Sequence, residues 1–239
     1  MSTSGTYSFT VTRDTIINAA LRALGVLGAA DTATATDIKN CSEALNLIIK
    51  NLSIEGAELW AIDEIQVPLV AGVSSYTIGP TGSVYSPYRP LRLIDSCYIR
   101  DAQGNDVPLQ IISRQEYNQL GQKTSLGIVN QIFYDPQIPD GVLYVFNTPV
   151  DSTRTIHLVV QRPIQDVSSG TDNFDLPQEW FLPLKWMLAE EICSEYGASQ
   201  AKTQLAISKA AFYRERLPNW SQEEASVMFV PDPRMGFSR

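Results

Sequence analysis

The chain has 239 residues, 44% apolar and 18% charged, which allows one large domain or two small ones and excludes wholesale disorder. Its formal net charge of −8 excludes tight binding to nucleic-acid phosphates, since the sequence has no run of Lys/Arg. An acidic wall would instead let a polyanion slide past without sticking. No apolar run approaches the ~20 residues of a membrane span. The start, MSTSGTYSFT, lacks the basic and apolar regions of a signal peptide. A soluble protein made in a cytoplasm, with no membrane partner, is expected.

The first predicted helix spans 12–25. Thr12 is its N-cap, Asp14 sits in the first turn, and Ile16, Ile17, Ala20, Leu21 and Leu24 form one stripe at helical spacing. Gly25 terminates it. A second helix is predicted from Thr36 to Glu55 on the stripe Ile38, Cys41, Leu45, Ile48 and Leu52, with Gly56 as the stop. The short loop between them predicts an antiparallel pair.

From Asp63 the period changes to two. Residues 64–70 and 73–78 read as a hairpin about Ala71-Gly72, followed by a turn at Gly79-Pro-Thr-Gly82. Residues 91–100 read as one long strand with Leu91, Leu93, Asp95, Cys97 and Ile99 on one face, and 107–112 as its return. Ser113 predicts a capped short helix over 114–120 with Glu116 at the capping-box position. Three more strands are predicted at 131–134, 142–146 and 155–161. The middle is therefore expected to be a small antiparallel β domain, sandwich-like or barrel-like.

After Arg162-Pro163 a polar linker is predicted over 165–175. Helices then resume. Pro183 either starts a new helix or kinks one, and residues 184–192 are apolar on nearly all sides, as in a helix buried between others. A last helix is predicted from Ser199 to Leu217, ending before Pro218.

The expected fold class is therefore α+β: a helical bundle formed by the N- and C-terminal segments, an inserted antiparallel β domain, and an extended C-terminal arm. The expected boundaries are 1–62 for the first part of the bundle, 63–171 for the insertion, 172–218 for the second part and 219–239 for the arm. The arm contains Pro231, Pro233 and Gly236, so no long regular element is expected there. It also carries Trp220, Met228, Phe229, Val230, Met235 and Phe237. Spaced aromatic and methionine anchors of this kind read as a segment that docks on a partner subunit.

No active site is legible. The three cysteines, Cys41, Cys97 and Cys193, are widely spaced with no C-x-x-C and no Cys/His cluster, and read as buried thiols. The single histidine, His157, falls on the strand face opposite Ile156, Leu158 and Val160, a surface or sheet-face position. There is no G-x-S-x-G, G-x-G-x-x-G or P-loop, so no nucleotide or other cofactor is expected. Glu191 and Glu195, four apart on a predicted helix, are the one enzymatic lead. Two carboxyls on one face could cleave glycosides only across a sugar cleft.

Several segments in order carry a resemblance. They are Ala19-Ala-Leu-Arg-Ala-Leu-Gly-Val-Leu-Gly28, Ala44-Leu-Asn-Leu-Ile-Ile-Lys50, Glu58-Leu-Trp60, Ser75-Tyr-Thr-Ile-Gly79, Arg89-Pro-Leu-Arg92, Ile112-Ser-Arg-Gln-Glu-Tyr117, Phe133-Tyr-Asp-Pro-Gln137, Gln161-Arg-Pro163 and Leu176-Pro-Gln-Glu-Trp180. Together the set resembles the head-completion, or packaged-DNA stabilisation, adaptors of short-tailed bacteriophages, over residues 12–200. The resemblance implies a non-enzymatic virion protein at the head–tail junction. It implies a homo-oligomer, a dodecameric ring under the phage portal protein, that extends the DNA channel, helps retain packaged DNA and offers a docking surface to a downstream tail or nozzle protein. DNA would pass without sequence-specific binding. Two alternatives stay open: a peptidoglycan-cleaving virion enzyme using Glu191 and Glu195, since some relatives are described as cell-wall hydrolases, and a stopper or tail-completion protein of a longer-tailed phage.

Overall fold

Four helices from the two ends of the sequence share one apolar core, and the strands between them build a second. The structure, a computed structural model, describes residues 5–7, 9–55 and 59–220. The helices are α1 (Arg13–Leu24), α2 (Ala35–Glu55), the short α3 (Arg114–Gln119), α4 (Phe181–Ile192) and α5 (Gln200–Trp220). The strands are β1 (Ile62–Pro68), β2 (Ser75–Gly79), β3 (Val84–Tyr85), β4 (Arg92–Leu93), β5 (Tyr98–Arg100), β6 (Asp106–Pro108), β7 (Gln110–Ile111), β8 (Leu126–Gly127), β9 (Gln131–Asp135), β10 (Gly141–Phe146), β11 (Thr148–Pro149) and β12 (Thr155–Gln161).

The predicted stripe of α1 is its buried face, and Ile17, Ala20 and Leu21 are fully enclosed. Gly25 ends the helix in the left-handed region at φ 77°, where its N–H and that of Val26 satisfy the carbonyls of Arg22 and Leu21. Thr12 occupies the N-cap without capping through its side chain; its hydroxyl bonds that of Thr15 instead. The α2 cap is reciprocal: the Asp37 N–H donates to Thr34 Oγ1, and the Thr34 N–H and hydroxyl donate to the Asp37 carboxylate. Cys41, Leu45, Ile49 and Leu52 of α2 then meet Leu184, Met187, Leu188 and Ile192 of α4 in one core. Gly56, the expected stop of α2, lies outside the described residues.

Pro183 falls within the first turn of α4, after a short 3-10 turn at Gln178–Trp180. Its missing N–H would be unpaired there in any case, so the helix starts cleanly at Phe181 rather than kinking. Helix α5 rests on the bundle through Ala206 and Ala210, whose small side chains allow close approach. It does not stop before Pro218. The backbone continues helical to Trp220, because a proline in a last turn removes only one ladder bond.

The middle is a sandwich of two sheets. One has the order β1-β12-β5-β6, with β4 also on β12, and is antiparallel. The other, β3-β2-β10-β9-β7, is mixed: β2 pairs β3 and β7 pairs β9 in parallel. A small parallel pair, β8 with β11, lies apart. Inward residues of both sheets fill the second core, among them Ile65, Val67, Ile99, Ile156, Leu158 and Val160 from one and Tyr76, Ile78, Ile132, Leu143 and Val145 from the other.

Three expectations are corrected here. Residues 64–78 are not a hairpin: β1 pairs with β12 and β2 with β10, so the turn at Ala71-Gly72 carries the chain from one sheet to the other. Residues 107–112 switch sheets likewise, β6 lying on β5 and β7 on β9. Residues 91–100 are not one strand. Leu93 pairs with Val160 and Tyr98 with His157, so the longer side bulges between β4 and β5, with Ser96 at φ 100°. The bulge turns the Asp95 carboxylate to solvent while keeping Cys97 and Ile99 inside.

The expected linker over 165–175 is a strap. Ile164, Val167 and Phe174 are buried in the helical core. Asn46 exchanges two hydrogen bonds with Val167, Lys50 Nζ donates to the Ile164 carbonyl, and Arg13 Nη1 donates to the Ser168 carbonyl. The strap is closed by Arg162 and Asp175, joined through both guanidinium nitrogens, with Nη2 at 2.9 Å from Oδ1. Burial would raise the Asp175 pKa, but Arg162 and the Gln165 N–H outweigh it and hold the carboxyl below its ordinary value. A folded pKa below the unfolded one contributes stability above the ordinary carboxylate range, and that stability fades as pH falls through it. Asp175→Asn should therefore cost roughly 1.5–3 kcal/mol at neutral pH, and the gap from the parent should shrink as pH drops below ~4. Urea unfolding of both proteins across that range checks it.

Candidate interaction surface

Where the 3-10 turn meets α4 and the end of α5, the bundle leaves an apolar groove of about 290 Å³. Trp60, Pro177, Glu179, Trp180, Leu182, Pro183, Tyr213, Arg216 and Leu217 line it. Its floor is an edge-to-face pair, Trp60 and Trp180, with centroids 5.9 Å apart at 72°. Leu182 stands at the lip, 50% exposed, on the side of the first turn of α4 away from the buried Phe181, Pro183 and Leu184. On α5, Leu205 and Phe212 lie seven residues apart on a face outside the core, and Arg216 covers the Phe212 ring at 4.1 Å. Phe212 adjoins the groove residues Tyr213 and Arg216, so the apolar exposure there is grouped rather than scattered.

Of the expected partner-binding residues, Trp220 belongs to the backbone of α5 rather than to an arm, as does Asn219. Met228, Phe229, Val230, Met235 and Phe237 lie outside the described residues. The groove residues Trp180, Leu182 and Tyr213 were not among the expected site residues. The available signal was an apolar helix with a large aliphatic residue ahead of its proline, a pattern that does not say which side lacks a neighbour.

The enzymatic lead loses its geometry. Helix α4 ends at Ile192, so Glu195 lies in the turn that follows and does not share a helix face with Glu191. Both are exposed, and Glu191 borders a shallow recess with Arg214, Asn51 and Met187. Glu190, not Glu191, pairs with Arg214 at 2.7 Å. No group of three or more His, Cys, Asp or Glu able to hold a metal occurs among the described residues.

His157 sits on the outer sheet face, yet it is buried there. The Tyr98 ring stacks on it at 4.6 Å, and Nδ1 lies 2.5 Å from Glu64 Oε1. Arg100 and Asp106, bidentate at 2.7 Å, flank the same face. The cluster bridges β1, β12, β5 and β6, and its groups are engaged with one another. All three cysteines are buried and free. Burial pushes the Cys97 thiol up to about 11, and burial likewise raises Cys41, which touches Tyr196 Oη at 3.6 Å. Cys41 and Cys97 are therefore unreactive thiols at neutral pH.

The model of one protein family, described as SU10 adaptor protein, matches residues 11–229 of this chain. No curated protein matches it. No helix among the described residues is long and apolar enough to cross a membrane.

Because the exposed apolar groups on α5 support no core, Leu205→Ser and Phe212→Ser should each change stability by less than about 1 kcal/mol. Leu184→Ala, in the core beside them, should cost roughly 2–5 kcal/mol. Chemical denaturation of the three variants decides whether the α5 face is structural or free for contact.

Proposed function

The chain belongs to the SU10 adaptor protein family, and we propose from this that it is a structural head-to-tail connector subunit of a bacteriophage, of the short-tailed type. Copies assemble as a ring, dodecameric by the resemblance above, beneath the portal protein of the virion. The ring extends the DNA channel, helps to retain packaged DNA and offers its far side to a tail or nozzle protein.

The observation that carries this reading is the family match, which takes in both helical ends and the sandwich between them. The physical features agree with it. A ring subunit needs two unlike surfaces that meet head to tail, and the bundle and the sandwich supply chemically different ones. The bundle carries the apolar groove and the α5 face, whereas the outer face of β1, β5 and β6 carries Glu64, Gln66, Arg100 and Asp106. The net charge of −8 suits a channel wall past which DNA slides. In this reading Trp220 at the end of α5 and the arm residues Met228, Phe229, Val230, Met235 and Phe237 dock on the portal, and the protein is non-enzymatic.

Portal particles mixed with this protein should form a complex that co-sediments, with its strength falling little as salt rises if the anchors are apolar. Deleting residues 221–239 should weaken that complex at least tenfold, a loss of about 1.4 kcal/mol or more, while leaving the helical circular dichroism nearly intact, since α5 runs to Trp220. Undiminished docking by the shortened chain would remove the arm from the interface.

A further inference from the structure

Along α5, Lys202, Lys209 and Arg216 recur every seven residues, with Leu205 and Phe212 between them. All five are exposed, and the three cations have no ion-pair partner among the described residues. We infer that this seam docks on a second copy of the chain, in the recess between its α2 and α4, so that subunits join head to tail. The contact rests on the ring reading above and specifies which two faces meet in it.

The seam has the spacing of a helix surface built for another surface. A seven-residue repeat keeps its members on one side of a helix, and apolar groups set between cations select a partner that is both apolar and acidic. Helix α5 carries four cations and one carboxylate, in a chain of net charge −8. A second copy is therefore acidic outside its own α5. Leu205 and Phe212 interrupt the row of charge, which a phosphate backbone would not need.

The recess supplies the complement. It is lined by Leu47, Ile48 and Leu52 of α2 and by Met187 and Glu191 of α4, with Arg214 of α5. Leu47, on the α2 face opposite the core, is 71% exposed. Glu43, one turn before it, and Glu191 are exposed carboxylates with no ion-pair partner among the described residues. Of the cations around Leu47, Arg214 is held by Glu190 at 2.7 Å and Lys50 by Asp166 at 2.6 Å. Lys39 lies more than two turns away along α2. The volume of about 160 Å³ is that of a single ring, since a cavity of ~150 Å³ admits benzene. Phe212 brings such a ring, and the Arg216 guanidinium above it faces the carboxylates when the ring enters.

Geometry makes the contact heterologous. Helix α4 stands between α2 and α5 and packs on both. Arg214 marks the side of α5 that meets the recess, and Phe212, two residues earlier, is turned about 200° from it. A subunit therefore cannot close its own seam on its own recess. Two subunits joined this way leave one seam and one recess free, as a ring requires.

The full chain carrying Ser194→Cys and Ser208→Cys tests the contact. Both serines are exposed, Ser194 three residues past Glu191 and Ser208 between Leu205 and Phe212. The native cysteines are buried. A short bismaleimide should link this chain into trimers and longer species, while either single variant should stay unlinked. Adding Lys209→Glu or Phe212→Asp should cut the linked fraction about tenfold or more, with the helical circular dichroism unchanged. Linked dimers from Ser208→Cys alone would mean that like faces meet, and would overturn the proposal. Linked species that Lys209→Glu and Phe212→Asp leave undiminished, or no linked species at all, would overturn it as well. Retention of duplex DNA by the parent chain that Lys209→Glu abolishes would assign the seam to a polyanion instead. Each of these failures leaves the adaptor reading standing, because complex formation with portal particles tests that reading separately.

Discussion

Seven consecutive residue pairs, from Ile62 with Gln161 to Pro68 with Thr155, zip the strand that leaves the first helical segment to the strand that leads into the second. This pairing brings the two ends of the chain into reach of each other. Without it, α2 and α4 would be separated by well over a hundred residues of β structure, and the loop-closure entropy of joining them would fall on the bundle alone. Gln161 extends the zipper into the helices. Its side chain accepts from Arg92 Nε at 2.7 Å and donates to the Ser53 carbonyl of α2 at 3.0 Å, while it is itself buried. Directly after it, the Arg162–Asp175 pair closes the strap that runs over α1 and α2. One strand thus holds a sheet, a helix end and a connecting segment in register.

The same constraint decides which surfaces remain free. Strand β12 is flanked on both sides, and its outer face is sealed by Tyr98 and Glu64 around His157, so that face presents an engaged polar cluster and not an open site. The bundle leaves a groove framed by Leu182 and the end of α5, with Trp60, two residues before β1, in its lining. The surface suited to a partner therefore lies beside the point where the arm departs.

Much of this was legible in the residues. The α1 stripe, the Gly25 terminus, the Ser113–Glu116 capping box and the span of β12 all follow from local rules and appear as expected: Ser113 Oγ accepts from the Glu116 N–H, and the Glu116 carboxylate accepts from the Ser113 N–H. What local rules could not show was sheet membership. A tight turn at Ala71-Gly72 looks the same whether it closes a hairpin or turns a corner between sheets, and only the distant partners β12 and β10 decide. The strap was misread for a related reason. Polar composition over 165–175 signals a linker, while the three apolar groups Ile164, Val167 and Phe174, too widely spaced for a period, do the packing. The groove escaped because exposure of Leu182 depends on which side of α4 lacks a neighbour, a tertiary property.

The central claim is that this chain is a connector between a phage head and its tail. A reconstruction of the head–tail junction of the virion that carries it tests this most directly. The account predicts copies of this fold arranged about the channel axis between portal and tail, with the bundle against the portal. Finding the protein elsewhere in the particle, or finding a junction that contains no density for the fold, would contradict it.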